Sequence, residues 1–305
     1  MTSTTVAKEL AMKFKLEARV KPKLKKLFRQ ISQDVKVIWL TTSTIPNLNS
    51  FHVELTAILR EHYREVAKRF KKVAFDSLIA SIDTSTKKQF VDYMPNGFDS
   101  LGNTSYLGDT SNQQEDNSDK LALLLLLFIN MADRDIISFV NRYSEQQASS
   151  ILQTTQGQLQ YLISVILSDA AAEGIILTHN EEAVTLEQEF NGRSDNRIDT
   201  IAATETQTPA EMSKLLVALA LAAIIEAPSG TNGTFPSGTV VKIWNSIIDK
   251  VTRDSHLSAN GQTVRVDEPF TVGGQQLASP GDSSLGATIK NIANCRCVAT
   301  YKTLS

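Results

Sequence analysis

The chain has 305 residues, 42% of them hydrophobic and 21% charged, which is the make-up of a folded protein rather than a disordered or fibrous one. Only 7% are aromatic, so the core is expected to be mostly aliphatic. A net charge of −2 conceals an asymmetry, because residues 1–72 carry 16 Lys/Arg against 6 Asp/Glu while residues 73–305 carry 15 against 27.

The first helix is expected over 5–20, with Val6, Leu10 and Phe14 at helical spacing and Pro22 as its break. Leu24, Leu27, Phe28 and Ile31 repeat the pattern in a second stretch. The run WLTTSTIPNLNS interrupts the periodicity, and Ser50 is the expected N-cap of the next helix. Phe51, Leu55, Ile58, Leu59, Tyr63, Val66 and Phe70 mark one face of that helix. These elements form a basic helical region, 1–93. Its Lys13, Lys15, Lys21, Lys23, Lys25, Lys26 and Arg29 are the candidate contacts to an anionic partner. Double-stranded DNA is one such partner, because phosphates draw Lys and Arg through counterion release. An acidic protein surface is another, and a merely solvated helical face is the third reading.

Residues 94–119 are rich in Gly, Asn, Asp and Ser and read as an exposed polar loop. Asp119 opens an apolar helix to about Ala132, and a helical region continues through 120–190, with its run of helices stopped by Glu173–Gly174. The apolar run 121–129 has nine residues, against the roughly 20 that span a bilayer, so no membrane segment is expected. The N-terminus carries no signal-peptide pattern. One or two helices follow over 197–230, stopped by Pro228 and Gly230. Beyond them, short β-like runs (GTVVKIW, QTVRV, CRCVATY) and the turn signals Asn260–Gly261 and Pro280–Gly281 predict a compact mixed segment. The fold class is therefore α+β, a mainly helical N-terminal portion followed by a C-terminal domain over 191–305.

That last region carries an ordered set of short motifs. They are Arg197, Thr204–Glu205, Trp244, Arg253–Asp254–His256, Asn260–Gly261, Asp267–Glu268–Phe270, Pro280–Gly281–Asp282 and Asn294–Cys295–Arg296–Cys297. Taken in this order, they resemble the C-terminal half of the Mu F-like family of phage head morphogenesis (minor capsid) proteins, over about residues 190–300. One departure is Ala203, where the family often has an Arg before its Thr-Glu pair. The resemblance implies a minor head protein of a tailed double-stranded DNA phage. Such a protein would act at the portal or head interior, with the portal protein and other head proteins as partners. It would be found in the virion head, and in the host cytoplasm during assembly. A nucleic-acid-binding protein that is packaged with or guides the genome is the alternative.

Cys295 and Cys297 are the only cysteines, too few for a disulfide framework. In a strand, positions i and i+2 face one way, so both thiols would point to one side and Arg296 to the other. With His256 brought in by a distant turn they would supply three ligands of Zn²⁺, with Asp254, Asp282 or water as the fourth. Two other readings stay open: a packed pair of small buried side chains beside a core histidine, and a redox-labile thiol pair.

Arg197 and Glu205 lie eight apart on nearly one helical face and are candidates for ion pairs with Arg253 or Asp254. Glu205 has no partner carboxylate or nucleophile at catalytic spacing. Glu187–Gln188–Glu189 matches the two-glutamate spacing of ADP-ribosyltransferases, but no convincing Arg-bearing strand or Ser-Thr-Ser element accompanies it. Phosphate-loop, zinc-protease and nucleophile-elbow motifs are absent from the sequence, which reads as that of a non-enzyme.

Overall fold

A computed structural model describes residues 3–81, 117–225 and 239–304. Four long helices carry most of it: α1 (Ser3–Thr42), α2 (His52–Ser81), α3 (Asn117–Ala172) and α4 (His179–Ile225). A small β region follows, with two short helices, α5 (Asp254–Ser258) and α6 (Ile289–Ile292). Strands β1 (Val240–Asn245), β2 (Thr263–Arg265) and β5 (Val298–Thr303) form an antiparallel sheet in the order β2-β1-β5. In its register Trp244 lies opposite Ala299 and Lys242 opposite Tyr301. Strands β3 (Phe270–Val272) and β4 (Gln275–Leu277) make a separate hairpin. The α+β class is thus correct: a helical N-terminal part and a small antiparallel sheet region.

Helix α4 is the spine, packing against each of the other three long helices. Helix α1 runs through Pro22 without a break. Its apolar stripe is continuous: Leu16, Val20, Leu24, Leu27, Phe28 and Ile31 are all buried, while Pro22 is on the exposed side. Each such burial is worth roughly 1.5–3 kcal/mol, enough in sum to outweigh the hydrogen bond that proline cannot make. The expected cap at Ser50 is also displaced. Asn47 accepts from the Asn49 amide at 2.9 Å and starts a 3₁₀ turn, Leu48–Phe51, that leads into α2.

Helix α3 is one 56-residue helix, where a helix to about Ala132 and further helices beyond it were expected. It ends as anticipated. Gly174 takes φ +68°, and the Ile175 amide returns to the Ala170 carbonyl at 2.8 Å, a left-handed helix stop. Thr178 and Glu181 then close a reciprocal capping box on α4, the Thr178 amide donating to the Glu181 carboxylate at 2.7 Å. The boundary drawn at 190/191 falls inside this helix. Of the expected loop 94–119, residues 94–116 lie outside the described residues, and 117–119 are already helical. Among the described residues, no helix is long and apolar enough to cross a membrane.

The sheet docks on the bundle through polar as well as apolar groups. Strand β5 lies along α2, where Ser77 donates to the Tyr301 carbonyl and Ser81 accepts from the Thr303 amide. One apolar core runs from Phe28 and Leu59 in the helices to Trp244, Phe270 and Tyr301 in the sheet region.

Candidate metal centre

Three parts of the C-terminal region meet at one buried point. Helix α5 brings His256. The extended residues before β5 bring Cys295 and Cys297, and the small helix α6 supplies the wall behind them. His256, Cys295 and Cys297 are exposed by only 1%, 3% and 2%. Their ligand atoms all lie within 4.8 Å of one another, the only such grouping of three or more His, Cys, Asp or Glu among the described residues. His256 Nδ1 is 3.4 Å from Cys297 Sγ and 3.7 Å from Cys295 Sγ. A tetrahedral zinc with Zn–S near 2.3 Å and Zn–N near 2.0–2.1 Å requires N···S edges of about 3.5 Å. The two observed edges bracket that value.

The cysteines precede β5 rather than lying in it. Their alternation nevertheless holds: both sulfurs face inward, and the Arg296 guanidinium reaches Asp249 at 2.6 Å instead. Asn294 explains the residue before them. It sits at φ +53°, a left-handed position that asparagine tolerates better than most residues, and turns the chain out of α6 into the cysteine segment.

His256 is oriented from behind. Its Nε2 lies 3.0 Å from both the carbonyl and the side-chain oxygen of Asn291, so Nε2 carries the hydrogen and Nδ1 faces the sulfurs. Asn291 is oriented in turn by donating from Nδ2 to the Val272 carbonyl at 3.0 Å. Trp244, fully buried, packs edge-on against both His256 and Phe270, with centroids 5.6 and 5.3 Å away. Its indole N–H donates to Ser246 Oγ at 3.1 Å, and that hydroxyl donates to the His256 carbonyl.

The electrostatics are those of a poised ligand set. A hydrogen bond from Cys295, helped by His256, pulls the Cys297 thiol down to about 5 against the cost of its burial. The same bond and burial push Cys295 well above the ordinary thiol range. Burial opposes charge on His256, but the Cys297 contact and Asn291 outweigh it and raise its pKa. Two thiolates and a neutral imidazole around a dication sum to zero, which suits a site this dry.

Neither expected fourth ligand from the protein joins the group. Asp254 is exposed at the start of α5. Asp282 caps its own turn, accepting from the amides of Ala278 and Ser284 and from the Ser284 hydroxyl. A metal held by these three residues would therefore take its fourth ligand from an exogenous donor such as water.

The remaining motif residues frame the site. Arg253 donates to the Ala293 carbonyl at 2.5 Å. Gly261 takes φ +81° where α5 ends, so the Asn260–Gly261 turn closes a helix before β2 rather than joining two strands. Asp267 pairs with Arg265, and Glu268 accepts from the Arg265 amide. The Thr204 hydroxyl accepts from the Asn294 amide.

Arg197 and Glu205 do not pair with Arg253 or Asp254. Arg197 turns to α3, donating to the Ile151 carbonyl and the Thr155 hydroxyl. Glu205 is buried in the bundle and accepts from the Tyr63 hydroxyl.

The basic residues of α1 are largely neutralised within the fold. Lys13 is buried and paired with Glu211. Lys21, Lys23 and Lys25 pair with Asp199, Glu61 and Asp195. The acidic partners of these four lie on α2 and α4 of the same chain. Lys15, Lys26 and Arg29 are exposed and make no ion pair among the described residues.

Sequence reasoning missed Asn291, Ser246 and Gln207. Gln207 donates to the Cys297 carbonyl at 2.7 Å and lies in the same TETQT run as Thr204–Glu205. Comparison of the chain with protein-family models, with curated proteins and with solved structures finds no match.

Proposed function

We propose that this chain is a minor head protein of a tailed double-stranded DNA phage, acting in head morphogenesis at the portal or in the head interior. One observation supports the reading above the others. Motif residues spread from Thr204 to Cys297 close into a single unit, with Trp244 against both His256 and Phe270, Asn294 against Thr204, and His256 against both cysteines. The ion held by His256, Cys295 and Cys297 is Zn²⁺ in this reading, and it staples a turn-rich region whose own core is thin. Its binding free energy is folding free energy.

The test is location. The protein should be present in purified heads and co-purify with the portal after nuclease treatment. Absence from particles and portal, together with salt-sensitive binding to duplex DNA, would replace this reading with that of a genome-binding module.

A further inference from the structure

We propose that Lys13 and Gln207 are positioning residues of the metal centre, and that through them the N-terminal part of α1 is fastened to it. The proposal rests on the zinc reading above. Its basis is a buried polar path that begins on α1 and ends on the main chain of a metal ligand. Lys13 Nζ donates to Gln207 Oε1 and to Glu211 Oε1, each at 2.7 Å. Gln207 Nε2 donates to the Cys297 carbonyl at 2.7 Å. Two residues on, the Ala299 amide donates to Glu211 Oε2 at 2.8 Å. The segment Cys297–Ala299 is therefore pinned at both ends by α4, and both anchors are held by the ammonium of Lys13.

Nothing solvent-borne substitutes for that ammonium. Lys13 is 3% exposed, Glu211 0%, Lys214 1% and Glu9 2%. The four charges alternate: Lys214 pairs with Glu9 at 2.6 Å and with Glu211 at 3.0 Å, and it also donates to the Ala299 carbonyl. Both ammonium groups sit over the Phe70 ring, 5.7 and 5.8 Å from its centroid. A set like this is held together by completeness, because removing one charge leaves another buried and uncompensated. The ammonium on the Gln207 carbonyl also fixes which way its amide points, and so which end faces Cys297. Without Lys13 the amide keeps only the Cys297 carbonyl and the more distant Pro280 carbonyl to orient it, and the donor to Cys297 is held less firmly.

The consequence is reciprocal. If docking of α1 favours the ligand geometry, metal must favour docking of α1 by the same factor. Residues 3–20, distant in sequence from the cysteines, are then part of the metal-dependent structure.

The experiment uses the full chain, with Co²⁺ as a visible probe and Zn²⁺ in competition. Lys13→Met and Gln207→Leu should each weaken metal affinity by about 10-fold or more, the range for residues that orient ligands. The double variant should fall short of the product of the two, because both act along one path. Thiolate-to-cobalt charge transfer should persist, marking an intact ligand set held less firmly. As a variant-free check, removing zinc from the wild type should speed amide exchange in 3–20 more than in α3, which lies off the path. Unchanged affinity in both variants, or exchange in 3–20 no faster than in α3, would overturn the proposal while leaving zinc in place. Failure of the wild type to bind either ion would overturn both.

Discussion

A Cβ atom placed on Gly281 would lie 2.9 Å from Cγ of Gln207. Gly281 also takes φ +84°, and its carbonyl accepts from the Thr208 hydroxyl at 2.8 Å. The Pro-Gly-Asp turn is thus pressed onto the helical residue that holds the Cys297 carbonyl, and glycine is required there twice over, for conformation and for space. Gly281→Ala should cost about 1–2 kcal/mol for the left-handed backbone alone. The displaced Gln207 should add a loss of metal affinity. Denaturant unfolding and a metal titration on the same variant measure the two effects separately.

Asn291 offers a sharper probe of the ligand set, because it touches His256 without ligating. Asn291→Leu leaves the Nε2–H without its side-chain acceptor and should weaken metal binding 10- to 100-fold. Asn291→Asp keeps an acceptor at that position but sets its other oxygen against the Val272 carbonyl, so its affinity should fall between those of the leucine variant and the wild type. Equal affinity in the leucine variant would mean that the Asn291 main-chain oxygen suffices to orient the ring.

Much of this arrangement was legible in the sequence, and the reasons are local. Two cysteines at i and i+2 share a side whenever the backbone is extended, so Cys295 and Cys297 could be paired before any tertiary contact was known. The stop at Gly174 was equally readable, because only a left-handed residue ends a helix that way. Thr178–Glu181 was a readable capping signal that periodicity alone passes over. What stayed hidden was long-range. Pro22 argued for a break because its cost is local, whereas the stripe from Leu16 to Ile31 that overrides it gains its energy from α4. Lys13 looked like surface because lysine usually is, and its partners lie almost 200 positions away. No spacing rule could place Asn291 or Gln207 behind the ligands.

Zinc removal tests the staple directly. Metal that binds only the folded chain, at a free concentration 100 times its dissociation constant, stabilises by about 2.7 kcal/mol. Chelator should therefore lower the melting temperature of the wild type. Cys295→Ser should melt near the chelated wild type and be insensitive to chelator. A wild type that holds no stoichiometric metal and ignores chelator would make the cluster a packed pair of thiols beside a core histidine.

The pH dependence of stability should carry the mark of two buried groups in the bundle, Glu205 and His62. Burial raises the Glu205 carboxyl to about 7, against a partly opposing hydrogen bond from Tyr63. The folded state then keeps a proton that the unfolded chain releases near 4.5, so stability falls as pH rises from about 4.5 to 7. His62 acts in the opposite sense. Burial lowers it to about 4, where the ring stays neutral against the Thr206 hydroxyl, so its contribution is lost as pH falls from 6.5 towards 4. Between about 4.5 and 6.5 the two slopes oppose each other. Glu205→Gln removes one of them. The stability of the variant relative to the wild type should rise as pH increases from about 4.5 to 7 and stay constant above that, because every other titrating group is common to the two. At pH 8 the variant should exceed the wild type by at most about 3 kcal/mol, the free energy of a shift this large, less whatever the Tyr63 hydrogen bond loses. Unfolding curves at half-unit pH steps would decide it. A variant that kept the wild-type profile would show that Glu205 ionises freely in the fold, which its burial between α2 and α4 argues against.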